Sequence, residues 1–352
     1  MSVPRPVRPR HGIVLGKFLP PHLGHVYLVD FARRYADELT VIVGSLAAEP
    51  IAGELRRDWA RELFPDSEVL HLTDENPQDP SEHPEFWRIW RESLRRILKK
   101  PVDLVFASER YGHRLAHELD ATFVAVDPLR TVIPVSGTAI RNDPLRHFAY
   151  LPPCVRAYFV RRVCIFGPES TGKSTLAREL AAHFDTIAVP EYARTYLTAR
   201  ADAAMALVGA PASLPPTPLP VYVHDMEPIA RGQLAAEAAL ARQASRVLFC
   251  DTDVLTTQLW SETLFGTCTP WLREQAQRAR YDLTLLCDVD VPWVADPVRY
   301  LPGERESFFN RCQAALAAAG RPYVVLRGSW EERRRCAIAA VAALPGATAA
   351  CP

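Results

Sequence analysis

From His11 onward the chain alternates short, almost unbroken apolar runs with longer stretches in which apolar residues recur every three or four positions. The runs GIVLG, LTVIVGS, EVLHL, VDLVFAS and TFVAVD have the composition of strands buried on both faces. The stretches between them, Leu23 to Tyr35, Glu54 to Leu63, Glu85 to Leu98 and Tyr111 to Leu119, have the period of helices. Strand and helix in turn predict a parallel sheet covered by helices on both sides. Pro152 and Pro153 interrupt this series, and a second one follows: VCIF, a helix from Gly172, DTIAV, a helix from Met226 to Ala244, RVLFC, LTLLC, YVVL and a last helix from Trp330. The expectation is an α/β protein of two doubly wound parallel-sheet domains, one over 11–155 and one over 160–346, with tails at 1–10 and 347–352. Gly209 to Pro220, with prolines at 211, 215, 216, 218 and 220, is expected to form a surface loop.

Composition narrows the class. Lys plus Arg and Asp plus Glu balance at 41 each, so no global field draws the chain to nucleic acid or to an anionic membrane, and phosphate binding must be local. Eight cysteines without a CxxC pair fit a reducing compartment. The N-terminus has Arg5, Arg8 and Arg10 among prolines but no apolar core of a signal peptide, and the apolar run from Cys336 to Leu344 is too short to span a bilayer. The reading is a cytoplasmic enzyme with no membrane insertion; the sequence leaves a homo-oligomer open.

In the second half, Gly167-Pro168-Glu169-Ser170-Thr171-Gly172-Lys173-Ser174 fits GxxxxGK[ST], follows an apolar strand and opens a helix. Backbone N–H groups of Gly167, Ser170, Thr171, Gly172, Ser174 and Thr175 are expected to cradle the phosphates of ATP or GTP. Lys173 would reach the β/γ oxygens and Ser174 would ligate Mg²⁺. Glu191 follows DTIAV, and Asp251 and Asp253 follow RVLFC, at strand ends where open α/β sheets bind ligands. Asp251 is the candidate second Mg²⁺ ligand, Glu191 the candidate to accept or position an acceptor hydroxyl, and Arg194 and Asp253 candidate substrate contacts. Glu191 and Arg194 also fit a plain capping carboxylate and a surface charge. Arg299, Arg305 and Arg311 near Trp293 suit a lid over the phosphates, with Trp293 free to stack on an aromatic base; a solvated arginine-rich helix is the blander alternative.

In the first half, Gly16-Lys17-Phe18-Leu19-Pro20-Pro21-His22-Leu23-Gly24-His25 leads from a strand into a helix. It resembles the GKFxPxHxGH signature of the HxGH nucleotidyltransferases, and Val135 to Arg141, VSGTAIR, resembles their second signature, ISGTxIR. Two histidines three apart at a helix start point the same way, toward an end that favours anions. The resemblance implies that Lys17, His22, His25 and Arg141 act on ATP phosphates, with Gly16, Phe18, Gly24, Ser136 and Thr138 completing the ATP site. An HxxH pair also occurs in metal sites, but no third ligand stands near it in the sequence. Trp87 and Trp90 are candidates to stack on a base, with core packing the alternative.

The two signatures in this order resemble the bifunctional nicotinamide-mononucleotide adenylyltransferase and ribosylnicotinamide kinase family over almost all of residues 11–345. LVFASERYG, GPESTGKST, EYAR, HDMEPIARGQ, FCDTDVLTTQ and PWVADPVR carry the likeness further. It implies an NAD salvage enzyme: the P-loop kinase phosphorylates nicotinamide riboside to the mononucleotide (NMN), and the Rossmann-like transferase joins NMN to AMP from ATP. Some family members carry an N-terminal helix-turn-helix; only about ten residues precede the first strand here, so no DNA partner is expected. Two readings compete: a transferase-kinase fusion acting on another metabolite, and a nucleotide-sensing adaptor without turnover.

Overall fold

The computed structural model describes residues 9–207 and 218–347. The chain divides into two units, Met1–Tyr158 and Phe159–Pro352. Residues 1–8, 348–352 and most of the proline-rich stretch expected as a loop lie outside the described residues.

In the first unit β1 (His11–Gly16), α1 (Leu23–Tyr35), β2 (Glu38–Gly44), α2 (Gly53–Leu63), β3 (Glu68–Leu72), α3 (Phe86–Ile97), β4 (Leu104–Ala107), α4 (Tyr111–Glu118) and β5 (Thr122–Ala125) alternate in strict order. α5 (Gly137–Asn142) and α6 (Pro153–Phe159) follow. The strands form one parallel sheet in the order β3-β2-β1-β4-β5. Successive residues of a strand face opposite sides, and the core shows it: Val14 packs with Phe18, Val29 and Phe106 in one layer, Ile13 with Leu94, Val105 and Leu115 in the other. Each such side chain contributes about 1.5–3 kcal/mol by leaving water. Pro153 does not break a helix here but begins one, since a first-turn residue has no N–H bond to lose.

The second unit runs β6 (Arg161–Phe166), α7 (Lys173–His183), β7 (Ala188–Val189), α8 (Tyr192–Leu207), α9 (Met226–Ala241), β8 (Val247–Asp251), α10 (Val254–Phe265), α11 (Pro270–Arg278), β9 (Leu283–Cys287), α12 (Arg305–Ala318), β10 (Tyr323–Leu326) and α13 (Trp330–Ala342). Its sheet is again parallel, ordered β10-β9-β6-β8-β7. Both sheets are thus doubly wound, as the alternation predicts. In each, the first strand of the unit is central and the chain leaves it toward opposite edges, so a crevice opens at that strand's carboxyl end. The loops after β1 and β6, which carry the two signatures, stand there. No helix among the described residues is long and apolar enough to cross a membrane.

Candidate active sites

The loop after β1 and the start of α1 line a cavity of about 660 Å³. His22 is the N-cap of α1: its Nδ1 accepts the Gly24 N–H at 3.1 Å, while the His22 N–H is donated to Nδ1 of His25 at 3.3 Å. The rings lie 3.8 Å apart, centre to centre. Burial, then the Arg130 cation, lowers the pKa of His22 to about 4; burial, His22 and Arg130 hold that of His25 well below the usual value. Both rings are therefore neutral, and with Nδ1 accepting, the proton of each sits on Nε2. A Cβ at Gly24 would lie 2.8 Å from the His22 ring, which explains the glycine between the histidines.

Gly16, Lys17, Phe18, Ser136, Thr138 and Arg141 line the same cavity. Phe18, at φ +47° and 1% exposed, packs its ring 4.7 Å from that of His25, so its side chain backs the histidine. Ser136 caps α5 by accepting the Ala139 N–H. Arg141 donates to the Leu19 carbonyl at 2.7 Å and to Thr138 Oγ1 at 3.0 Å, tying the second signature to the first.

Glu49 and Arg130, which no motif marks, also line this cavity, and the buried Arg56 supports Glu49. Lys17 Nζ lies 3.0 Å from Glu49 Oε1. Glu49 in turn pairs at 2.5 Å with Arg56, whose fully buried guanidinium also donates to the Lys17 carbonyl at 2.6 Å. Burial acts against ionising Glu49, but the Leu46 N–H and the two cations outweigh it and its pKa falls below the usual carboxylate value. Arg130, at φ +51°, lines the cavity from a loop held by Asp127, whose carboxylate accepts the N–H groups of Thr131, Val132 and Ile133. Trp87 and Trp90 both line the cavity while packing on the core behind it; the Trp90 indole is bonded to the Pro77 carbonyl at 2.8 Å.

In the second unit the phosphate loop enters α7 through Gly172 at φ +83°, a conformation closed to most side chains, and a Cβ there would press on Trp330 at 2.7 Å. Lys173 Nζ folds onto the Pro168 carbonyl at 2.6 Å. Asp251, at the end of β8, is 3% exposed, and its Oδ1 has no hydrogen-bond partner. Burial, then the charge of Glu191, raises its pKa to about 6, against the pull of Lys173 and a hydrogen bond from Ser174. A buried carboxylate oxygen left without a partner, beside a hydroxyl that opens the helix, fits a hard divalent cation.

A second cavity, of about 140 Å³, is lined by Ser170, Thr171, Gly172, Lys173, Ser174 and Thr175 on one side. Glu191, Arg194 and Arg299 face it as well. Its aromatic walls are Trp260 of α10 and Tyr300; Gln233 of α9 closes the floor and fixes the Tyr192 N–H at 3.0 Å. Trp293 is not on this wall: it lies outside the cavity beneath the Arg299 guanidinium, 6.0 Å from the ring centre. Arg305 too stands behind the loop, donating to the Val291 and Ser170 carbonyls at 2.8 and 3.2 Å. Arg194 pairs with Asp296 at 3.0 Å, and Arg311 lies 3.8 Å from Glu262. Asp253 is committed elsewhere: fully buried, it caps α10 through the Thr256 N–H and pairs with Arg321, leaving nothing for a substrate.

The chain is 30% identical over 318 residues to the trifunctional NAD biosynthesis/regulator protein NadR of Escherichia coli (strain K12), a match covering 85% of this chain and 74% of the relative. It belongs to the NadR family. NadR of Salmonella typhimurium (strain LT2) matches to the same extent. A family model described as an AAA domain matches residues 162–333, the segment that holds the phosphate loop. Two NadR crystal structures share the fold. One, in complex with NR, has a TM-score of 0.76 at 21% identity over 97% of this chain and 98% of that one. The other, with NAD and AMP-PNP, has a TM-score of 0.72 at 23% identity over 96% of each. The NadR family places the chain among proteins of NAD biosynthesis.

Proposed function

We propose that the chain converts nicotinamide riboside to NAD in two ATP-using steps, phosphorylation in the second unit and adenylylation in the first. The observation that carries this reading is the 30% identity to a trifunctional NadR together with two separate phosphate cradles in one chain. In the first unit a phosphate oxygen of the mononucleotide attacks the α-phosphorus of ATP and pyrophosphate leaves. The nucleophile is already an anion, so no side chain has to remove a proton. The neutral His22 and His25 offer Nε2–H donors to the phosphate oxygens, and Lys17 and Arg141 meet the charge that gathers on the leaving pyrophosphate. Neutral donors suit this step, because they stabilise the growing charge without binding ground-state ATP as tightly as two imidazolium ions would.

In the second unit the riboside's hydroxyl is the acceptor. Trp260 and Tyr300 hold its aromatic base, Glu191 positions the hydroxyl and takes its proton, and Lys173 and Arg299 follow the transferred phosphoryl group. Ser174 and Asp251 would hold Mg²⁺, which when bound would offset the negative charge of the phosphates. Trp87 and Trp90 frame the place for the base in the first unit. An acceptor panel tests the reading: nicotinamide riboside, cytidine, uridine and pantetheine are each given with ATP and Mg²⁺, and ADP release is followed. The riboside is expected to give the highest kcat/KM; a higher value for any other acceptor overturns the assignment.

A further inference from the structure

A loop built to attract phosphates is a costly place for a carboxylate, because like charges repel most where water is excluded. Yet Glu169 sits within the phosphate loop, the third residue after β6 and four before Lys173. Glu169 lines the second cavity, and its carboxylate accepts the Tyr300 N–H at 2.9 and 3.1 Å and the Leu301 N–H at 3.3 Å. The next residue does the same for the segment before it: Ser170, at φ +57°, accepts the Val294 N–H on Oγ at 2.7 Å and an Arg299 N–H at 3.3 Å. The far end of Tyr300 is fixed too, its hydroxyl donating to the Leu219 carbonyl at 2.9 Å. Tyr300 is thereby pinned at both ends, and its ring forms one aromatic wall of the second cavity.

We propose that Glu169 is a positioning residue for the acceptor: by holding the main chain of Tyr300 it sets the aromatic wall in register with the phosphate loop. The proposal rests on the kinase reading above and adds to it a link between the two halves of that cavity. Such a link matters because a reacting hydroxyl displaced by an ångström from the phosphorus costs about a hundredfold in rate. A carboxylate does this better than an amide, since it accepts from two adjacent N–H groups at once, and charge strengthens both bonds.

The test compares wild type with Glu169→Ala and Glu169→Gln in the full chain, with two readouts. The first is hydrogen exchange at the Tyr300 and Leu301 amides, which needs no assumption about the acceptor. Exchange is expected to be fastest in Glu169→Ala and intermediate in Glu169→Gln, which keeps one acceptor oxygen; unchanged exchange in both overturns the proposal. The second is kinetic: in Glu169→Ala the kcat/KM for nicotinamide riboside should fall by about tenfold or more, while AMP-PNP affinity changes by less than about threefold. Loss of AMP-PNP binding in parallel with the riboside, or a wild-type kcat/KM for the riboside, overturns it by assigning Glu169 to the loop's own shape or to no part in placing the acceptor. If wild type does not phosphorylate the riboside at all, the functional reading falls, and the exchange arm still decides whether Glu169 holds the wall.

Discussion

The backbone N–H of His22 is donated to Nδ1 of His25 across 3.3 Å, so the first histidine of the pair fixes the tautomer of the second. The Gly24 N–H does the same for His22. One turn of helix thus presents two neutral Nε2–H donors, with burial suppressing their protonation.

The first prediction concerns that protonation. Nitrogen-detected NMR of the two rings should show the Nε2–H tautomer of both from pH 8 down to about 5, since the pKa of His22 is lowered to about 4 and that of His25 lies well below normal. The fold resists protons that the unfolded chain accepts near pH 6.5, so these groups make the first unit less stable as pH falls below 6.5 toward 4. A titration midpoint near 6.5 for either ring would contradict the arrangement.

Arg56 gives the second. Its buried fork holds both the main chain of Lys17 and the carboxylate of Glu49, two partners that an ammonium group cannot satisfy together. Arg56→Lys should lower transferase kcat/KM by about tenfold or more with an intact kinase reaction, and in a double-mutant cycle Glu49→Gln should add much less than its own effect. Additive losses would show that the pair does not act through Lys17.

A third prediction follows from Asp251, a buried carboxylate with one oxygen unpartnered. Its pKa is raised to about 6, so folding favours the protonated form: the cost of the charge is absent below about pH 3.8 and grows as pH rises through 6. Asp251→Asn should therefore abolish kinase activity yet raise the melting temperature of the Mg²⁺-free protein at pH 8, by about 2–4 °C or more, with little gain at pH 4. A lower melting temperature at pH 8 would contradict the cost assigned to that charge.

How far the sequence reveals these features depends on whether the signal is local. α1, β9, β10 and the start of α13 are legible because each is a short, strongly patterned segment bounded by its own turn residues. α10 is not: Val254, Leu255, Thr256 and Thr257 are buried in succession, so no helical stripe is left, although Asp253 as N-cap and Gly266 at φ +67° mark its ends. DTIAV yields only a two-residue strand, because Asp185 turns at φ +49° and the Thr186 hydroxyl is donated to the Val247 carbonyl. The P-loop and the histidine pair are continuous motifs and declare themselves. Asp253 misleads because its partner Arg321 lies 68 residues away, and Trp260 hides inside an apolar helix while Trp293 stands among conspicuous arginines. Contacts of that range carry no trace in the spacing.

The fourth prediction uses the separateness of the two cradles. Lys173→Ala should lower riboside phosphorylation by about 10²–10³-fold while leaving NAD formation from supplied mononucleotide nearly unchanged; His25→Ala should do the reverse and accumulate mononucleotide. Chromatography of the products, with circular dichroism as a check on folding, reads both. If either substitution suppresses both reactions in a folded protein, the two sites are not independent.

The most direct test of the account is the stoichiometry of the whole conversion by the wild-type chain. Nicotinamide riboside, excess ATP and Mg²⁺ are incubated with the protein, and nucleotides and pyrophosphate are quantified over time. The account predicts a transient rise of mononucleotide followed by NAD, with one ADP and one pyrophosphate released per NAD formed. ATP consumption without mononucleotide or NAD, or NAD formed without matching ADP, would contradict it.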